Sequence, residues 1–203
     1  MSIKPLILAS ASPRRKYWFE AIRIPFEVAV PVIDEMPLMG EDPIEMVARL
    51  SNEKARSVAS KHPSRWVLAA DTTVVVDGRI LGKPENFDDA VRMLQLIQGR
   101  KHYVHTGAAL VRDSEIHQFV DTAEVRLRPL SLDQIRWYVA SDEPMDKAGA
   151  YAAQGIAAMF IERIDGSFAT VMGLPIERLG GLLFELGLLD GWYDGFSVGR
   201  GVK

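Results

Sequence analysis

The stretch "WVLAADTTVVV", residues 66–76, constrains this chain more than any other. Apolar and β-branched residues dominate it, and Asp77-Gly78 follows as a hairpin turn signal leading into a second strand over 79–83. A strand this long and apolar has to sit inside a sheet, so the remaining segments must supply partners and cover. It also contains a misfit, Asp71. An ionised carboxylate among buried-strand residues is costly unless it is paired, hydrogen-bonded or bound to a metal. The sequence leaves two readings open: a solvated acid where one strand segment ends and another begins, or a functional group.

The other segments alternate strand and helix. Residues 6–9 read as a short buried strand, after which Ser12-Pro13 starts a helix reaching about Ile22, with serine as N-cap and proline in the first turn. Asp42-Pro43-Ile44-Glu45 opens a second helix running to about Ser60, with Glu45 placed for a capping box. Asn86, Asp88 and Asp89 open a third helix that Gly99 closes. Strands are expected over 103–111 and 115–127, and Ser131 with Gln134 caps a fourth helix. Residues 160–164 and 168–171 read as strands flanking the turn "DGS", and Pro175 opens a last helix to about Leu186. This alternation predicts an α/β fold, a mixed sheet flanked by helices. The expected organisation is a single domain over 1–190 followed by a loose tail over 191–203.

Further polar residues are out of place. On a helical wheel Val47, Leu50, Ser51 and Val58 share one face and Lys54 falls among them, so its ammonium either snorkels to water or meets an anion. With Val76 paired to Arg79, Lys83 comes opposite Thr72 and close to Asp71. Strict alternation aims Asp71 and Thr72 at opposite faces, so a break or bulge is needed to bring Lys83 onto Asp71. The helix start at Ser12 offers unpaired amides and a positive dipole end, with Arg14 and Arg15 beside it and the hydroxyls of Ser10 and Ser12 nearby. That is the chemistry of a phosphate cradle; a purely structural cap, a DNA contact and a phosphorylation site are the alternatives. Glu35 and Gln154 are polar residues in Pro- and Gly-punctuated stretches. His62, His102, His105 and His117 have neither zinc-ligand spacing nor a triad partner.

The formal charge of −3 argues against a protein built mainly to bind nucleic acid. The chain has no cysteine, which excludes disulfides and thiolate chemistry. No stretch reaches membrane-spanning length, so a soluble cytoplasmic protein is expected. Arginines at a helix start, two lysines and acids able to hold a divalent cation together suit a nucleoside triphosphate with magnesium or manganese.

At this point the chain resembles the Maf (septum-formation) family of nucleoside triphosphate pyrophosphatases. The resemblance runs from Leu6 to about Leu186 and rests on "LASASPRR", Asp34-Glu35, "EKA" at 53–55, "AADTTVVVDG", "GKP" at 82–84, "DEPMDKAGAYAAQG" and "VMGLP". It implies a fold similar to inosine triphosphate pyrophosphatases, with two lobes and a central cleft, and a homodimer. It also implies cleavage of the α–β phosphoanhydride bond to monophosphate and pyrophosphate. Asp71 takes the place of the catalytic base, Glu35 with Asp71 that of the metal ligands, and Lys54 and Lys83 those of phosphate contacts. Residues 10–15 line the phosphate site. Arg14, Thr72 and Gln154 match the dTTP/UTP branch, where another branch carries Trp, Gln and Glu; Ala153 departs from the larger aliphatic residue usual before the Gln. The rival reading is a nucleotide-binding regulator of cell division without turnover. A scavenger of deaminated purine triphosphates and a DNA-binding module follow behind it.

Overall fold

The computed structural model describes residues 4–192. Most of the tail expected over 191–203 therefore lies outside the described residues. The strands are β1 (Leu6–Leu8), β2 (Phe26–Val28), β3 (Val67–Val76), β4 (Arg79–Leu81), β5 (Lys101–Arg112), β6 (Glu115–Leu127) and β7 (Ile161–Asp165). The helices are α1 (Pro13–Ala21), α2 (Pro43–Ala59), α3 (Phe87–Ile97), α4 (Leu132–Val139), α5 (Phe168–Val171), α6 (Ile176–Glu185) and α7 (Leu188–Trp192). Short 3-10 turns fill much of the stretch between α4 and β7.

All strands join one sheet, ordered β2-β1-β3-β5-β6-β7, with β4 hairpinned onto β3. It is mixed, as expected: β1 runs parallel to β2 and β3, and the other pairings are antiparallel. The free edge of β3 carries two short partners. β1 pairs with Val67 and Leu68, β4 pairs with Val74, Val75 and Val76, and between them the edge opens at residues 69–73. Asp71 lies in the middle of that opening.

Alternation along β3 assigns the two faces. Val67 and Ala69 pack with Ala55 and Val58 of α2, which covers one face. On the other face Leu68 and Ala70 join the cluster of α1 and α6 around Phe19, Leu179 and Leu183. Val74 and Val76 join a separate cluster with α3 and α4, around Leu94, Ile97 and Ile135. These two clusters are the two lobes, and the cleft between them falls at Thr72.

Several local expectations need correction. Residues 168–171 are helical rather than a strand, because Ser167 Oγ accepts from the Ala169 and Thr170 amides and starts a turn that overrides β-branched propensity. β4 stops at Leu81 rather than reaching Lys83, so Lys83 lies outside the ladder, exposed and without an ion pair to Asp71 among the described residues. Ser12 is the residue before α1, yet its side chain caps nothing; its amide donates to Ser10 Oγ at 3.1 Å. Glu45 closes no capping box, since Asp42 alone accepts from the Ile44 and Glu45 amides. The box at Ser131 and Gln134 forms as expected. β2 was not foreseen: its three residues are mostly exposed and carry no periodic signal.

Candidate active site

The opening in the β3 edge leads into a cavity of about 580 Å³. Every site residue expected from the sequence, from Ser10 to Gln154, lines it. The cavity sits where β1 has ended and β4 has not yet begun along this edge of β3.

On the α2 side, Lys54 does not snorkel. Its side chain is 8% exposed, and Nζ lies 2.6 Å from Asp71 Oδ1 and 2.7 Å from Glu35 Oε2. Lys54 reaches this point because the buried stripe of α2, Val47-Leu50-Ser51-Lys54-Val58, is laid against β3 and β5. Asp71 is thus a buried mid-strand acid with a counter-ion, which settles its position against the solvated-end reading. One ammonium holds two carboxylates, and one oxygen of each, Asp71 Oδ2 and Glu35 Oε1, makes no hydrogen bond or ion pair among the described residues.

On the opposite face, α1 delivers Arg15. Its Nε donates to the Gly173 carbonyl at 2.8 Å, Nη2 to Thr72 Oγ1 at 3.2 Å and Nη1 to Ser10 Oγ at 3.3 Å. Burial lowers its pKa to about 10, partly offset by Asp71, so the guanidinium stays charged at neutral pH. Thr106 Oγ1 donates to the Thr170 carbonyl at 2.8 Å and lies 3.0 Å from Thr72 Oγ1. Because the Thr106 proton is committed to Thr170, Thr72 donates to Thr106 and accepts from Arg15. The Thr72 proton and one of its lone pairs are thereby taken up inside the protein, where the hydroxyl orients Arg15.

The remaining groups are less constrained. Arg14 Nη1 reaches Asp146 Oδ2 at 3.4 Å across the cleft. Lys83 and Gln154 are exposed on the wall and make no side-chain hydrogen bond or ion pair among the described residues. Lys147, not singled out in sequence, adds a further cation: Nζ donates to the Glu143 carbonyl at 3.1 Å and pairs with Asp146. Its signal was its place in "DEPMDKAGAYAAQG". His102 is not a site residue; it is fully buried beside the wall, with Nε2 2.8 Å from the Tyr151 hydroxyl.

Arg14, Arg15, Lys54, Lys83 and Lys147 face Glu35, Asp71 and Asp146 around the cavity, a surplus of positive charge that favours an anion. Among the described residues no group of three or more His, Cys, Asp or Glu is placed to hold a metal ion. Glu35 and Asp71 make a two-carboxylate donor set, which suits magnesium or manganese when phosphate and water complete the shell.

A mixed α/β sheet with a cationic cavity at a gap in its β3 edge and two carboxylates in the wall defines the class, an anion-binding α/β protein. Within it, the chain belongs to the Maf family: the family model described as "Maf-like protein" matches residues 5–186. A dTTP/UTP pyrophosphatase of Symbiobacterium thermophilum is 47% identical over 98% of this chain and 100% of its own length. One of Thermus thermophilus is 45% identical over 90% of this chain and 95% of its own. Among solved structures, the Staphylococcus aureus Ham1 protein shares the fold with a TM-score of 0.52 at 15% identity, covering 90% of this chain and all of that one.

Proposed function

We propose that this protein hydrolyses the α–β phosphoanhydride bond of dTTP and UTP, releasing monophosphate and pyrophosphate. The observation that carries the reading is the Asp71–Lys54–Glu35 cluster facing the arginines of α1 across one cavity. Its Maf relatives named dTTP/UTP pyrophosphatase support the substrate pair.

The phosphate chain is held by Arg14, Lys83, Lys147 and the α1 N-terminus, with Arg15 already oriented by Thr72 and Ser10. Asp71 acts as general base through Oδ2, taking the proton of the attacking water while Lys54 holds Oδ1. The cations then stabilise charge developing on the pyrophosphate leaving group. Glu35 and Asp71 would hold a magnesium or manganese ion, which neutralises triphosphate charge and polarises the α-phosphorus. At the other end, the Gln154 amide offers a donor and an acceptor side by side. Thymine and uracil present a carbonyl beside an imide N–H, which matches that pair, whereas cytosine lacks the imide proton. Thr72 contributes by orienting Arg15. A homodimer in the cytoplasm belongs to the same reading; among the described residues no helix is long and apolar enough to cross a membrane.

The test is product analysis after incubation with a panel of nucleoside triphosphates and Mg²⁺ or Mn²⁺, alongside Asp71→Asn. Monophosphate plus pyrophosphate from dTTP and UTP, reduced at least about a hundredfold in the variant, is expected. Full activity in Asp71→Asn removes it as the base. Binding without any turnover favours a nucleotide-sensing protein instead.

A further inference from the structure

The cavity wall that carries Gln154 is not an ordinary loop. Gly155 N–H donates to the Ala152 carbonyl at 3.0 Å, so Gln154 occupies the third position of a tight turn. Both feet of that turn are tied to one side-chain pair outside it. The Ala152 amide donates to Tyr138 Oη at 3.2 Å, and the Tyr138 hydroxyl donates to Glu143 Oε1 at 2.9 Å. The Ile156 amide donates to Glu143 Oε2 at 2.9 Å and the Ala157 amide to Oε1 at 3.3 Å. Burial and the Glu143 carboxylate hold the Tyr138 phenol in its protonated form, so it serves as a donor to Glu143. A Cβ at Gly155 would come 2.1 Å from Glu143 Oε2, so the turn closes directly onto the carboxylate.

We propose that Glu143, with Tyr138, is a positioning residue for base selection: it fixes the turn that aims the Gln154 amide into the cavity. This deepens the function proposed above and rests on that reading of Gln154. A carboxylate suits the task because all its lone pairs accept, and here it meets two amides and a hydroxyl proton at once. Glutamine has almost the same shape, but its NH₂ group would face the Ile156 amide or the Tyr138 and Ala157 donors, and one foot would come free. The phosphate-binding side chains of α1 take no part in this network, and Lys147 meets only the main-chain carbonyl of Glu143, which Glu143→Gln leaves in place, so the loss should fall on base recognition.

The experiment uses the full chain as wild type, Glu143→Gln, Gln154→Ala and the double variant, with kcat and KM measured on dTTP, UTP, CTP and GTP. Glu143→Gln should raise KM for dTTP and UTP about tenfold with little change in kcat, shrinking their advantage over CTP and GTP. In the Gln154→Ala background the same substitution should do almost nothing further. Unchanged preference, or an equal effect in both backgrounds, overturns the positioning role while leaving the pyrophosphatase reading intact. Preference unaltered by Gln154→Ala overturns the role and the base-reading of Gln154 together. Absence of pyrophosphate release from any nucleotide by the wild type overturns the function reading, and this inference with it. If Glu143→Gln does not fold, Tyr138→Phe replaces it, since it removes the bridge to the Ala152 foot and should give the same shift in preference.

Discussion

Lys54 is the residue on which the charge balance turns. It is buried against Asp71 and Glu35, and removing one partner of a buried ionic cluster strands the others. Lys54→Met should therefore lower stability by about 3–5 kcal/mol in urea unfolding, whereas Asp71→Asn, which leaves Lys54 paired with Glu35, should cost clearly less. Equal losses would mean that the ammonium is not the counter-ion of Asp71. At this scale the sequence was informative wherever a polar residue broke an apolar pattern: Asp71 in a strand and Lys54 on a helix stripe both marked the site. Lys147 and Glu143 stood inside the quoted stretch "DEPMDKAGAYAAQG" but were not singled out, because their neighbours are short turns without periodicity. The bonds that Thr72 makes to Arg15 and Thr106 were not legible, because nothing in a linear chain brings these three residues together.

Among the elements, α2 and β5 depend on one close approach. Gly107 pairs with Asp71 across the β3–β5 ladder, and a Cβ there would lie 2.3 Å from the Val47 carbonyl oxygen of α2. Gly107→Ala must push the helix off the sheet, and the helix carries Lys54. We expect a loss of about 1–3 kcal/mol in stability together with a fall in kcat, read by urea unfolding and steady-state turnover. A stable, fully active variant would show that α2 shifts without moving Lys54 from Asp71. Helices with strong caps and long strands were legible, because local chemistry and packing agree there. The strand expected over 168–171 was not, since a serine cap and a tertiary slot outweigh β propensity. The opening between β1 and β4 depends on which strands pair at long range, and no local pattern carries that information.

Taken as a whole, the molecule holds a pH-dependent weakness in its interior. Burial lowers the pKa of His102 from 6.5 to about 4. Unfolding restores the ordinary value, so the unfolded chain takes up the proton first as pH falls. The stability that the neutral ring permits is complete above about pH 6.5 and is lost as pH falls toward 4. The loss is on the order of 3 kcal/mol. Thermal or urea unfolding across that range should show a shallower slope in His102→Gln than in the wild type; matching slopes would place the acid sensitivity elsewhere.

The order of the sheet has one more consequence. β1 touches β3 through a short parallel pairing between residues far apart in sequence, so closing it costs more loop entropy than any hairpin in the fold. On that ground the segment from β1 through α1 to β2, which holds Ser10, Arg14 and Arg15, is expected to open more readily than the hairpin-paired strands. A triphosphate that grips this segment ties down an edge of the sheet that only short pairings hold. Hydrogen exchange should slow over residues 6–28 when a non-hydrolysable triphosphate is bound. Substrate supply would thus govern how long the N-terminal edge of the protein resists proteolysis.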